Sequence, residues 1–181
     1  EIRSGFRCSI GGAQKVFGVT PDLATFGKAM ANGYAIAALV GSKEVMSVLA
    51  DKVFLSSTFF PNSDSLVAAL KTIEILQRDN ILDIIAAKGR KFASDVEKVV
   101  VESGIPATVS GAPWMPFITF PKDETGLYKK LRTEFYTQLI RRKVFLQPFH
   151  HGYICYRHTE EDLSYTVQAI KESFADLKPM L

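Results

Sequence analysis

Leu23-Ala-Thr-Phe-Gly-Lys28-Ala-Met-Ala-Asn-Gly33-Tyr-Ala-Ile-Ala-Ala-Leu-Val40 places one lysine between a short apolar run and a series of mostly small residues. Leu23 to Phe26 has the length and composition of a short strand, and Gly27 ends it. Ala29 to Gly33 add little bulk, so backbone or ligand can approach the Lys28 amine closely. An amine enclosed in this way is expected to be poorly solvated. Desolvation disfavours the ammonium form and lowers the pKa, which a lysine needs in order to act as nucleophile or base near neutral pH. A lysine snorkelling from an apolar loop into water produces the same local pattern. The stretch by itself leaves both readings open.

On the carboxyl side, Ile36 to Val40 is a continuous apolar run of strand length, expected to be buried and ended by Gly41. Ser42 then suits an N-cap, with Val45, Met46 and Leu49 forming the apolar face of a short helix. On the amino side, Thr20-Pro21-Asp22 reads as a turn. Cys8 to Val19 alternates glycine with small residues and has a loop-like composition, in which the Gln14 amide serves either a ligand or the loop itself. Glu1 to Arg7 is expected to leave a buried strand and turn at Gly5, with Glu1 and Arg7 suited to a structural ion pair.

Phe54-Leu-Ser-Ser57-Thr58-Phe-Phe-Pro-Asn62-Ser-Asp64 clusters hydroxyls ahead of a helix. Hydroxyls and free amides there suit a phosphate, and equally a turn with a helix cap. Leu66, Val67, Leu70, Ile73 and Leu76 have helical spacing over Ser65 to Arg78. After the break at Asp79-Asn80, helical periodicity resumes from Ile81 to Ser103. We therefore expect residues 1–80 to form part of a larger domain, and residues 81–181 to form a connecting helix and a smaller carboxy-terminal one. The smaller domain is expected to contain strands at Thr108 to Gly111, Met115 to Phe120, Val144 to Leu146 and Tyr153 to Tyr156, with helices at Tyr128 to Arg142 and after Thr159. Neighbouring residues on a strand face opposite ways, so His150-His151 without a third clustered ligand does not suit a metal.

Composition narrows the classes further. With 47% hydrophobic residues in 181, the chain can bury a substantial core. Its formal net charge of +3, from 22 basic and 19 acidic residues, contains no basic block that would suit nucleic acid. Cys8 and Cys155 form neither a disulfide framework nor a zinc motif, and a reducing cytoplasm fits them best. No run approaches a membrane span, and the amino terminus does not read as a signal peptide. The chain opens at Glu1 without methionine, which suggests a piece of a longer protein.

The ordered set Glu1-Ile-Arg-Ser-Gly-Phe-Arg7, Gly11-Gly-Ala-Gln14 and Asp22-Leu-Ala-Thr-Phe-Gly-Lys28, continuing through Ser57-Thr58 and Asn62 to His158-Thr-Glu-Glu-Asp162, resembles the class III aminotransferases. The likeness is greatest to their glutamate-1-semialdehyde 2,1-aminomutase-like branch. It implies the carboxy-terminal part of an α/β fold-type I transferase: a mixed, mainly parallel sheet in the large domain, plus a small α+β domain. Lys28 falls on the lysine that holds pyridoxal 5'-phosphate as an internal aldimine. Thr58, with Ser57 beside it, falls on the phosphate-binding position, which in the family reaches the neighbouring subunit's cofactor and implies a homodimer with shared active sites. The family's usual Gly-Asn-Pro is Pro61-Asn62-Ser63 here, and its proline is replaced by Ala35. Alignment back from His158 puts His151 near the arginine that grips a substrate carboxylate in many relatives, so Arg157 does not inherit that role.

The implied activity is amino transfer between a small-molecule amino donor and a carbonyl acceptor. Intramolecular transfer, as in the aminomutase, is a second reading, and a noncatalytic dimerisation remnant is a third.

Overall fold

In the computed structural model, which describes every residue except Ser57, Phe59 and Pro61, the chain divides into two units, Glu1–Asp83 and Ile84–Leu181. The first unit opens in turns rather than in the expected buried strand; Gly5 and Ser9 make an isolated bridge. The Glu1 carboxylate organises this region. It accepts the amides of Ala13 at 2.7 Å and Gln14 at 2.8 Å, together with the Ser4 hydroxyl. Burial raises this carboxyl's pKa, but the bonds from Ser4, Gln14 and Ala13 outweigh it and hold the group below its ordinary range.

Those amides begin helix α1, Ala13–Phe17, where the composition suggested a loop. The correction has a physical cause: the cap comes from a residue outside the local window. Gly12 makes the arrangement possible. Its φ is +78°, and a Cβ there would lie 2.1 Å from the Glu1 Oε2.

Strand β1, Leu23–Phe26, pairs antiparallel with β2, Ala38–Gly41, in the register Leu23 to Gly41 and Phe26 to Ala38. β2 is not the buried strand expected of its apolar run, since Leu39 and Val40 are exposed. In a two-stranded ladder, a face gains burial only where another element covers it. Here Phe26, Met30, Ala31 and Ala69 form the core, with Phe6, Ala24, Ile36 and Ala38 packed against it. Helix α2, Lys43–Met46, is capped by the Ser42 hydroxyl and passes into a 3-10 turn at Ser47–Ala50. Helix α3, Ser63–Arg78, is capped by Asn62 through the Asp64 amide.

Helix α4, Ile81–Ser103, leads into the second unit. Strands β3, Thr108–Ser110, and β4, Phe117–Thr119, form an antiparallel pair. The mainly parallel sheet expected of the large domain is not among the described ladders, which are both antiparallel. Helix α5, Leu127–Arg141, packs on α6, Glu160–Leu177, through Phe135 and Phe174, whose stacked rings are 4.6 Å apart and fully buried. Thr159 and Asp162 form a reciprocal capping box at the start of α6.

The strands expected at Val144 to Leu146 and Tyr153 to Tyr156 do not form. Gly152 donates to Pro116 O and Ile154 to Trp114 O, but Pro116 has no amide to return, so the pair at Gly152 does not close into a ladder.

Tyr136 ties α5 to β4. Its buried hydroxyl donates to Ile118 O at 2.8 Å, and burial pushes its pKa up to about 12, against a smaller opposing effect of Arg132. An unfolded tyrosine titrates near 10, so the folded state alone keeps this proton between about pH 10 and pH 12. The stabilisation is therefore whole below about pH 10 and lost as pH rises through about 12, an effect on the order of 2–3 kcal/mol. Comparison of urea midpoints along this alkaline limb should show a shallower fall for Tyr136→Phe than for the natural chain. Parallel curves would assign the loss to other groups.

Candidate active site

Lys28 is the first residue of a 3-10 turn, Lys28–Ala31, directly after β1 and Gly27. Its side chain faces solvent, which corrects the expectation of a poorly solvated amine. Of the small residues that follow it only Ala31 lies in the core, and the described part of the first unit does not close over the lysine. Its backbone is left-handed, with φ +47°, a conformation that costs a non-glycine residue about 1–2 kcal/mol.

Buried residues hold the turn on both sides of Lys28. Phe26 precedes it at 7% exposure, and Met30 follows at 6%. Burying a methionine side chain contributes about 1.5–3 kcal/mol, enough to offset the unfavourable backbone. The Met30 amide closes the turn by donating to Gly27 O at 3.1 Å. Sequence reading counted residues 29–33 as small and passed over Met30; its signal was an apolar residue two positions after the lysine.

The turn packs against α3, the helix that follows the hydroxyl-rich stretch. Thr58 lies exposed in a turn ahead of Asn62, the α3 N-cap. Ser57, expected beside it at the phosphate, lies outside the described residues. The first unit thus contains an accessible amine, an accessible hydroxyl and the amino end of a 16-residue helix. Separately, the amine can form an imine with an aldehyde, and the hydroxyl and helix dipole suit a phosphate dianion, in the resemblance that of the neighbouring subunit's cofactor.

Other candidates are absorbed by structure. Glu1 caps α1, and the Gln14 side-chain amide donates to Gly11 O at 2.9 Å, which favours its loop role. His150 and His151 have ring centroids 5.9 Å apart, and His150 Nδ1 lies 3.0 Å from His151 O. Among the described residues no three His, Cys, Asp or Glu side chains are grouped to hold a metal. Both histidines, with Phe117, Tyr136 and Tyr165, line a cavity of about 920 Å³ within the second unit.

The family model for class-III aminotransferases matches residues 1–171. A 3-aminobutyryl-CoA aminotransferase from Cloacimonas acidaminovorans (strain Evry) is 78% identical over all of this chain, which covers 44% of that protein. The chain therefore spans less than half of that curated relative. Among solved structures, the FumI protein of Sphingopyxis sp. MTA144, in its PLP internal aldimine form, is 26% identical with a TM-score of 0.88; the match covers 97% of this chain and 42% of that one. An omega-transaminase from Sphaerobacter thermophilus is also 26% identical, with a TM-score of 0.87, over 97% of this chain and 43% of its own.

Proposed function

The chain belongs to the class-III aminotransferase family, and on that premise we propose that it carries the cofactor-anchoring lysine of a pyridoxal-phosphate-dependent aminotransferase. The observation that carries the reading is Lys28: a solvent-facing amine on a strained turn, fixed by buried neighbours to the helix that follows Thr58. Lys28 would hold the cofactor covalently through Nζ, while Thr58 and Ser57 would meet the phosphate of the neighbouring subunit's cofactor. When bound, pyridoxal phosphate supplies the aldehyde that takes up the amino group and a ring that withdraws electrons. The work left to the protein is orientation and proton transfer. Once the incoming amino substrate has displaced it from that link, Lys28 Nζ would be a free amine, able to take the proton from the substrate carbon bearing the amino group and to return one in the reverse half of the exchange.

The 78% identical relative favours the CoA thioester of a 3-amino acid as amino donor, with a carbonyl compound as acceptor. A homodimer forms part of the proposal. Leu66, Val67 and Leu70 expose an apolar face on α3 that suits a subunit contact. The two free cysteines suit a reducing cytoplasm, and among the described residues no helix is long and apolar enough to cross a membrane.

The test is a visible spectrum of the full-length protein before and after borohydride, followed by peptide mapping. We expect a cofactor band that disappears on reduction and a pyridoxyl label on Lys28. A label elsewhere, or none after cofactor is added, overturns the assignment. Amino transfer from 3-aminobutyryl-CoA only when a 2-oxo acid is supplied would separate this reaction from intramolecular transfer.

A further inference from the structure

We propose that Met30 is a positioning residue for Lys28: its buried side chain, packed with Ala31 and Ala69 of α3, holds the left-handed backbone at Lys28 and so the direction of the amine. The inference rests on the cofactor-anchoring role of Lys28 proposed above.

An exposed side chain does not supply the force that keeps its own backbone in a disfavoured conformation. At Lys28 that force must come from its neighbours. Phe26 is buried and meets Phe6 edge-on, with centroids 5.5 Å apart, so the chain is fixed before the lysine. Two residues after it, Met30 is buried in the same cluster as Ala31 and Ala69. The bond from the Met30 amide to Gly27 O spans Lys28, so Met30 closes the turn that contains it. Asn32, also left-handed at φ +48°, ends the turn, and its amide donates to Ala29 O. With Phe26 and Met30 both held, Lys28 has little freedom to relax toward the right-handed region. The amine is therefore aimed by groups that need not touch the ligand.

This differs from a general contribution to stability. Trimming Met30 empties the anchor next to Lys28, whereas trimming Ile36 removes contacts from the edge of the same cluster without loosening the Gly27–Met30 turn. The two changes should lower stability alike but affect the amine differently.

The experiment uses the full-length protein loaded with pyridoxal phosphate, comparing Met30→Ala, Met30→Leu and Ile36→Ala. For Met30→Ala we expect kcat to fall about 10–100-fold, the scale on which small misplacement acts. The midpoint of the pH titration of its cofactor band should also move by about half a unit or more, because the protonated and unprotonated links to Lys28 feel the altered geometry differently. Met30→Leu, with similar volume and apolarity, should restore both values. Ile36→Ala should lower the thermal midpoint and leave the titration unchanged.

If Met30→Ala does not fold, Ala69→Val tests the same contact by adding bulk beneath the turn, and the same titration shift is expected. A titration like the natural protein's in whichever variant folds overturns the inference while the role of Lys28 stands. Absence of a borohydride label on Lys28 in the natural protein overturns both.

Discussion

Lys28→Arg in the full-length protein should abolish amino transfer while leaving the fold intact. The side chain is exposed, so the substitution costs the fold little, within about 0.5 kcal/mol. Charge is preserved, yet the chemistry is not: a guanidinium stays protonated near neutral pH and does not readily form the required imine. Loss of the general base alone removes about 10²–10⁴-fold in rate, and loss of covalent anchoring adds to it. The expected turnover is therefore more than about 10⁴-fold below that of the natural protein. Single-turnover amino transfer and circular dichroism on the same sample provide the check. An intact Lys28→Arg protein retaining even about 1% of the rate would show that another group handles the proton.

Gly89→Ala should destabilise the second unit by about 3 kcal/mol, although alanine is the better helix former. Gly89 is buried within α4, and a Cβ there would lie 2.0 Å from Pro113 O and 2.5 Å from Pro113 C. Both are backbone atoms, so no rotamer change relieves the clash. The 113–114 segment must move away, taking with it the Trp114 carbonyl that accepts from Ile154. Alanine's advantage of about 1 kcal/mol in a helix interior is smaller than this disruption. Urea unfolding of the full-length protein, followed by a signal from the second unit, measures the effect; unchanged or increased stability would mean that the segment yields without cost.

Gly89 also shows where reading from sequence stops. Periodicity alone marked Ile81 to Ser103 as a helix, and nothing in that pattern set Gly89 apart. That it admits another stretch of backbone depends on a contact between residues distant along the chain. The same division separates α1 from α6. Thr159 and Asp162 cap α6 from within its own sequence, so the start of that helix was legible, whereas α1 depends on Glu1, twelve residues before Ala13. The strand assignments at 144–146 and 153–156 failed because apolar composition reports burial, while a ladder also needs reciprocal amide bonds, which Pro116 does not return to Gly152.

The candidate site was legible in part. The motif order singled out Lys28 and Thr58, because residue type and spacing express the requirements of the chemistry. Lys28's solvent exposure was misjudged, because neighbouring small residues reveal close packing but not which side of a turn meets water. By itself the sequence determined the family and the long amphipathic helices, carried by linked motifs and local pattern, and it marked Lys28 as the candidate anchor. Only the tertiary structure decided that Lys28 has a left-handed backbone, that Met30 and Ala69 lie behind it, and that Glu1 begins a helix. Those features arise when distant residues bury together, and their energies are absent from any local window.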